Sequence, residues 1–77
     1  MKRYCFAGWV VFVETKDRKY PLISAYRMVK TGLKWANTLQ ITDNGCILGL
    51  SPAGEGVPEE IFRFMIDKAL ENGAKFG

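Results

Sequence analysis

Between Tyr4 and Glu14 nearly every side chain is apolar, whichever way the run is divided. In an extended chain, alternate side chains point to opposite faces. One face then carries Tyr4, Phe6, Gly8, Val10, Phe12 and Glu14, and the other Cys5, Ala7, Trp9, Val11 and Val13. A strand that is apolar on both sides needs a central place in a sheet, or cover from a partner. This run therefore predicts a sheet protein with a strand that must be covered twice.

The rest of the chain supplies the remaining elements. The polar stretch Thr15 to Lys19 predicts a turn, and Lys19 to Ile23 a short strand. Pro21 lacks a ladder N–H, which confines that strand to an edge. Ser24 is a good helix cap, and Ala25, Met28, Val29, Gly32, Leu33, Ala36 and Leu39 recur at helical intervals after it. The spacing predicts an amphipathic helix over 24–39, weakened by about 1 kcal/mol at Gly32. A rival reading continues Tyr20 to Val29 as a strand, because that stretch also holds β-branched and aromatic residues.

Asp43-Asn44-Gly45 between two apolar runs predicts a hairpin of Leu39–Thr42 with Cys46–Leu50, since Asn and Gly tolerate positive φ. The stretch 51–56 (Ser-Pro-Ala-Gly-Glu-Gly) predicts a flexible connection. Pro58 then opens a second helix in its first turn, with Glu59 and Glu60 favouring the positive end. That helix buries Ile61, Phe62, Met65, Ile66 and Ala69, offers an Arg63–Asp67 pair, and stops at Asn72-Gly73. The expectation is one domain over 1–77: an α+β, two-layer fold with an antiparallel sheet of three to four strands and two helices, in the order β-(β)-α-β-β-α.

Chemistry is constrained by what the 77 residues lack. There is no histidine, which removes the commonest general base and metal ligand. Two isolated cysteines, Cys5 and Cys46, cannot make a four-ligand zinc site and are expected as buried free thiols. Glu59 and Glu60 point about 100° apart on a helix and do not form a working carboxylate pair. Residues 49–56 match neither a Walker loop nor a dinucleotide loop. The expectation is a non-enzyme, with no catalytic residue, no cofactor and no metal. Met1-Lys2-Arg3 before an apolar run is followed by Glu14 to Lys19 rather than by a small-residue cleavage site, so a mature N-terminus and a cytoplasmic location are expected, with no membrane span.

Two surfaces remain as candidates. The first is basic. Residues 1–35 hold eight basic and two acidic side chains, whereas residues 36–77 hold three basic and six acidic ones. On the predicted first helix Arg27, Lys30 and Lys34 form a stripe beside Trp35, joined by Lys16, Arg18 and Lys19 from the turn and by Lys2 and Arg3 from the N-terminus. Cations beside an aromatic ring suit a nucleic-acid backbone and a stacked base. An ordinary solvated helix face accounts for the same pattern.

The second candidate is apolar. Phe64 shares its helix face with Glu60, Asp67, Lys68 and Glu71, where a core helix is normally polar. Together with the two-faced first strand, it points to a protein interface built from Trp9, Phe12, Phe64, Glu60 and Lys68. A lone exposed Phe needs no such explanation. The first-ranked expectation is a small regulatory or binding protein working through protein contacts, by self-association as a homodimer or by steric docking on a larger target. A nucleic-acid-binding module is the alternative. A further alternative comes from size alone: compact domains like this are common among phage and mobile-element accessory proteins that inhibit host defence systems. DNA mimicry by a dense acidic surface does not fit a chain of net charge +3.

Overall fold

The computed structural model describes residues 1–77 and contains one helix, not two, and six strands, not three or four. The strands are β1 (Lys2–Phe6), β2 (Trp9–Glu14), β3 (Leu22–Val29), β4 (Gly32–Ile41), β5 (Cys46–Leu50) and β6 (Lys75–Phe76). They pair in sequence order in one curled, half-barrel sheet. Every pairing is antiparallel except β5 with β6, because α1 (Glu59–Glu71) carries the chain back across the sheet before β6 begins. The expected order β-(β)-α-β-β-α is thus corrected to β-β-β-β-β-α-β.

The expected first helix is the β3–β4 hairpin. The positions that recur every three or four residues also alternate, and alternation wins because β3 finds partners on both sides. Ile23 and Ala25 are buried under α1, while Leu22, Ser24, Tyr26 and Met28 face the other way. Gly32, at φ 131°, takes a backbone shape that L side chains rarely adopt and starts β4 after the Lys30–Thr31 turn. The rival strand reading of Tyr20 to Val29 is the one that matches, over Leu22–Val29. The edge placement expected for the short Lys19–Ile23 strand does not hold. β3 is interior, and Pro21 lies just before it, so no ladder bond is lost.

The long first strand is divided at Ala7–Gly8 into the β1–β2 hairpin. It is β2 that is central and apolar on both faces, with Val10, Val11 and Val13 buried. The hairpin at Asp43–Gly45 forms as expected between β4 and β5. Gly45 N–H donates to the Thr42 carbonyl at 2.9 Å, and Cys46 N–H to Thr42 Oγ1 at 3.0 Å. Gly45 sits at φ 84°, and a Cβ there would lie 2.5 Å from the Tyr20 ring, so both conformation and space require glycine.

The one helix lies on one face of the sheet and buries Ile61, Met65 and Ala69 against Val11, Val13, Ile23, Ala25 and Leu39. Pro58 is its N-cap rather than a first-turn residue, and Arg63 pairs back to Glu59 at 3.2 Å instead of forward to Asp67. The chain leaves the helix at Asn72–Gly73, where Ala74 N–H closes on the Ala69 carbonyl at 3.0 Å.

The 51–56 stretch is fastened down, contrary to the expectation of flexibility. Asn37, buried in β4, donates from Nδ2 to the carbonyls of Ser51 (3.1 Å) and Glu55 (2.7 Å) and accepts from Ser51 N–H at Oδ1 (2.8 Å). Glu55 N–H returns a 2.7 Å bond to the Ala36 carbonyl. A Cβ on Gly54 would lie 2.5 Å from that carbonyl, so the loop lies flat on the strand. No helix is long and apolar enough to cross a membrane.

Candidate binding face

The helix covers only one side of the sheet. The opposite side, the open face, is defined by register. On β2, Val10 and Phe12 point away from the helix. On β3 their partners are Tyr26 and Ser24, followed along the strand by Met28. On β4, Leu33 pairs with Met28 and Trp35 with Tyr26, with Ala36 absorbed in a bulge that re-aims the strand. Leu22 at one end and Leu48 on β5 extend the same surface.

A solvated sheet face is normally polar. Here the exposed large apolar side chains are concentrated on it: Leu48 at 68% exposure, Met28 at 47%, Leu22 at 41%, with Leu33 and Trp35 close behind. Phe12 and Tyr26 meet edge to face at 5.3 Å, and Arg3 from β1 lies 5.9 Å from the Phe12 ring centre. The polar groups among them are paired: Trp35 Nε1 donates to Thr38 Oγ1 at 2.8 Å, and Thr38 Oγ1 shares a 2.8 Å bond with Ser24 Oγ. These bonds hold the indole against the sheet. The face bears two depressions. One, of about 330 Å³, is floored by Phe12, Leu22 and Tyr26 and walled by Met1 and Glu14. The other, of about 570 Å³, runs beside Leu22 between the Asp17–Pro21 loop and Leu48.

The five residues expected at a protein interface are not brought together. Phe12 alone stands on the open face. Trp9 packs half-buried on the helix side with Val11 and Val13. Phe64 is half-buried, held between Tyr4 and Phe6 of β1 at ring distances of 5.0 and 4.9 Å. The β1–β2 hairpin explains its odd place in the helical pattern: it supplies a second apolar line along the helix flank. Lys68 roofs that trio, with Nζ 4.7 Å from the Tyr4 ring centre and 3.3 Å from a Glu71 carboxylate oxygen. Partial desolvation lowers its pKa. The Glu71 carboxylate and Tyr4 outweigh this, and the net direction is upward from the ordinary lysine value. Glu60 is exposed in the first helical turn.

The expected basic stripe is likewise dispersed. Arg27 and Lys34 are cross-strand neighbours on the helix side, where both face Glu55 at 3.2 and 4.0 Å. Trp35 points to the other side. Lys30 sits in the β3–β4 turn, and Lys16, Arg18 and Lys19 sit at the opposite end of the sheet among Glu14, Asp17 and Asp43. Tyr26, Met28 and Leu33 are face residues that the helix reading hid, and Leu22 and Leu48 are strand residues that it left without a shared face. Their signal was the two-residue alternation from Leu22 to Met28.

Cys5 is exposed on β1, and Cys46 is half-buried at the start of β5; both are free. Three strands lie between them, a separation of roughly 19 Å at the usual strand spacing, far beyond disulfide reach. Burial was expected for both; Cys46 meets it only in part, and Cys5 departs from it fully because its strand is the sheet edge.

Fold and face together define a small curled six-stranded mixed sheet with a single helix covering one face and the other face open and apolar. No family model, curated protein or solved structure matches the chain.

Proposed function

We propose that this chain is a non-enzymatic binding protein whose open sheet face docks against an apolar surface of a protein partner. One observation carries the reading: the uncovered face of β2–β4 is lined by Phe12, Tyr26, Met28, Leu33 and Trp35, where water alone would favour polar side chains. Its layout is that of an interface. Aromatic and aliphatic side chains hold the centre, and charged groups of both signs stand at the rim. The Trp35–Thr38–Ser24 bonds lock the central indole in advance, which lowers the ordering cost of binding.

Site-specific photo-cross-linking in cells that make the chain tests this. A benzophenone side chain at Met28 or Leu48 is expected to give discrete protein adducts, and the same group at Arg63, on the exposed side of α1, none. Equal labelling from both sides, or none from the open face, overturns the reading.

A further inference from the structure

We infer that the end of the sheet where β1 begins binds a single-stranded nucleic acid, with backbone phosphates on Lys2, Arg3, Lys16, Arg18 and Lys19 and bases in the two depressions beside Leu22. This site goes beyond the docking reading, because it lies at the end of the open face away from Met28 and Leu33.

Charge is the first observation. The antiparallel order brings the start of β1, the β2–β3 turn and the β4–β5 turn to one end of the sheet, and the parallel β6 begins there too. Six basic side chains stand at that end, Lys75 being the sixth, against three acidic ones, Glu14, Asp17 and Asp43. Elsewhere five basic and five acidic side chains cancel, so the net charge of +3 is gathered at this one end. The pairing differs in the same way. Away from this end Glu55 meets Arg27 and Lys34, Glu59 meets Arg63, and Glu71 meets Lys68. Glu14 is occupied by the N-terminal ammonium at 3.7 Å and by the Lys16 backbone N–H at 3.0 Å. Asp17 and Asp43 are left as the opposing charges.

The second observation is that rings stand among these cations. The Arg3 guanidinium lies 5.9 Å from the Phe12 ring centre, and the Lys19 ammonium 5.7 Å from that of Tyr20. Phe12 and Tyr20 line different depressions, of about 330 and 570 Å³, and Leu22 is a wall of both. The same unit is therefore presented twice: a cation beside a ring beside a hollow. A single strand needs this combination, a positive track for its backbone and rings on which unpaired bases stack. A duplex keeps its bases stacked on one another, out of reach of the rings, and an acidic peptide uses the cations but not the rings. Arg18 Nε donates to the Tyr20 carbonyl at 3.1 Å, which aims the guanidinium and leaves its two terminal nitrogens for a phosphate. Glu14 and Gln40 line the two hollows, where they offer hydrogen-bond partners to base edges.

Fluorescence anisotropy of the whole chain with labelled oligo(dT) and oligo(U) tests the inference, the two probes separating DNA from RNA. A dissociation constant of roughly 1–100 μM is expected at about 0.15 M salt. Five phosphate contacts predict that log affinity falls against log salt with a slope of about −3.5. Arg18→Gln with Lys19→Gln is expected to bring that slope to about −2. Lys30→Gln with Arg63→Gln, the same charge change elsewhere, is expected to leave it unchanged. Phe12→Leu is expected to weaken binding about tenfold at an unchanged slope. Should that variant lose its far-ultraviolet dichroism, ultraviolet cross-linking of oligo(U) to Phe12 or Tyr20, read by peptide mass, replaces it. Failure of both probes to bind below millimolar concentration overturns the inference. So does a slope that changes equally in the two double variants, or a duplex or poly-glutamate of the same length that binds as tightly. Oligonucleotide binding without protein adducts from the open face removes the docking reading and leaves this one; adducts without oligonucleotide binding do the reverse.

Discussion

The side-chain amide of Asn37 donates to the backbone carbonyl of Glu55 at 2.7 Å, and through this bond a glycine-rich loop becomes part of the sheet. Asn37 is 2% exposed and every polar atom of its side chain is engaged: Nδ2 with Ser51 and Glu55, Oδ1 with the N–H groups of Ser51 and Thr38. It takes the place of a neighbouring strand next to the Ala36 bulge, where β4 has run past the reach of β5.

Removing that amide deletes four hydrogen bonds at once, those to the Ser51 and Glu55 carbonyls and from the Ser51 and Thr38 N–H groups. Asn37→Ala is expected to lower unfolding stability by about 2–3 kcal/mol in urea titration. Asn37→Asp is expected to cost at least as much, because a carboxylate would face the Ser51 and Glu55 carbonyls. Hydrogen exchange at residues 51–55 is expected to rise in both variants before the rest of the sheet opens.

Gly45 and Tyr20 are coupled sterically. Gly45→Ala adds a methyl 2.5 Å from the Tyr20 ring at φ 84° and is expected to cost about 2–4 kcal/mol in thermal unfolding. Adding Tyr20→Ser removes the clash but not the backbone strain. The double variant is therefore expected to lose less than the two single losses added together.

Phe64 is a packing residue of the helix flank. Phe64→Ala is expected to destabilise the chain by about 2–3 kcal/mol, below the cost at a fully buried Phe because the ring is half-exposed. A cycle with Tyr4→Ala is expected to return a coupling of about 0.5–1.5 kcal/mol. Cross-linking from the open face is expected not to change, which separates this residue from those of the open face.

The Lys68 ammonium titrates above the ordinary lysine value of 10.5 in the folded chain. A group whose pKa is raised by folding stabilises the fold below its unfolded pKa and loses that contribution as pH rises through the folded value. The Lys68 contribution to unfolding stability is thus expected to be full and independent of pH around neutrality and to decline above about pH 10.5. Lys68→Met is expected to flatten that decline in pH-dependent urea titrations.

Much of the fold could be read locally. The β4–β5 hairpin rests on Asn44-Gly45, a turn that few other residue pairs can make, and the 59–71 helix rests on a strong apolar period closed by Asn72-Gly73. Both are governed by contacts within a few residues, and both stand where the pattern puts them.

The identity of residues 24–39 was not decided locally. Their apolar positions satisfy a helix and a pair of strands almost equally. The choice fell to β2 and β5, which offer Leu22–Val29 and Gly32–Ile41 hydrogen-bond partners on both flanks. The face resulted from that choice. A helix would have set Arg27, Lys34 and Trp35 side by side; a two-residue period sends Trp35 to one side of the sheet and the two cations to the other, towards Glu55. The amino-acid sequence by itself determined the Asn44-Gly45 turn, the covered helix and the abundance of apolar side chains. Only long-range pairing decided which of those side chains share a surface, because a strand's partners are set across the whole chain rather than by its neighbours.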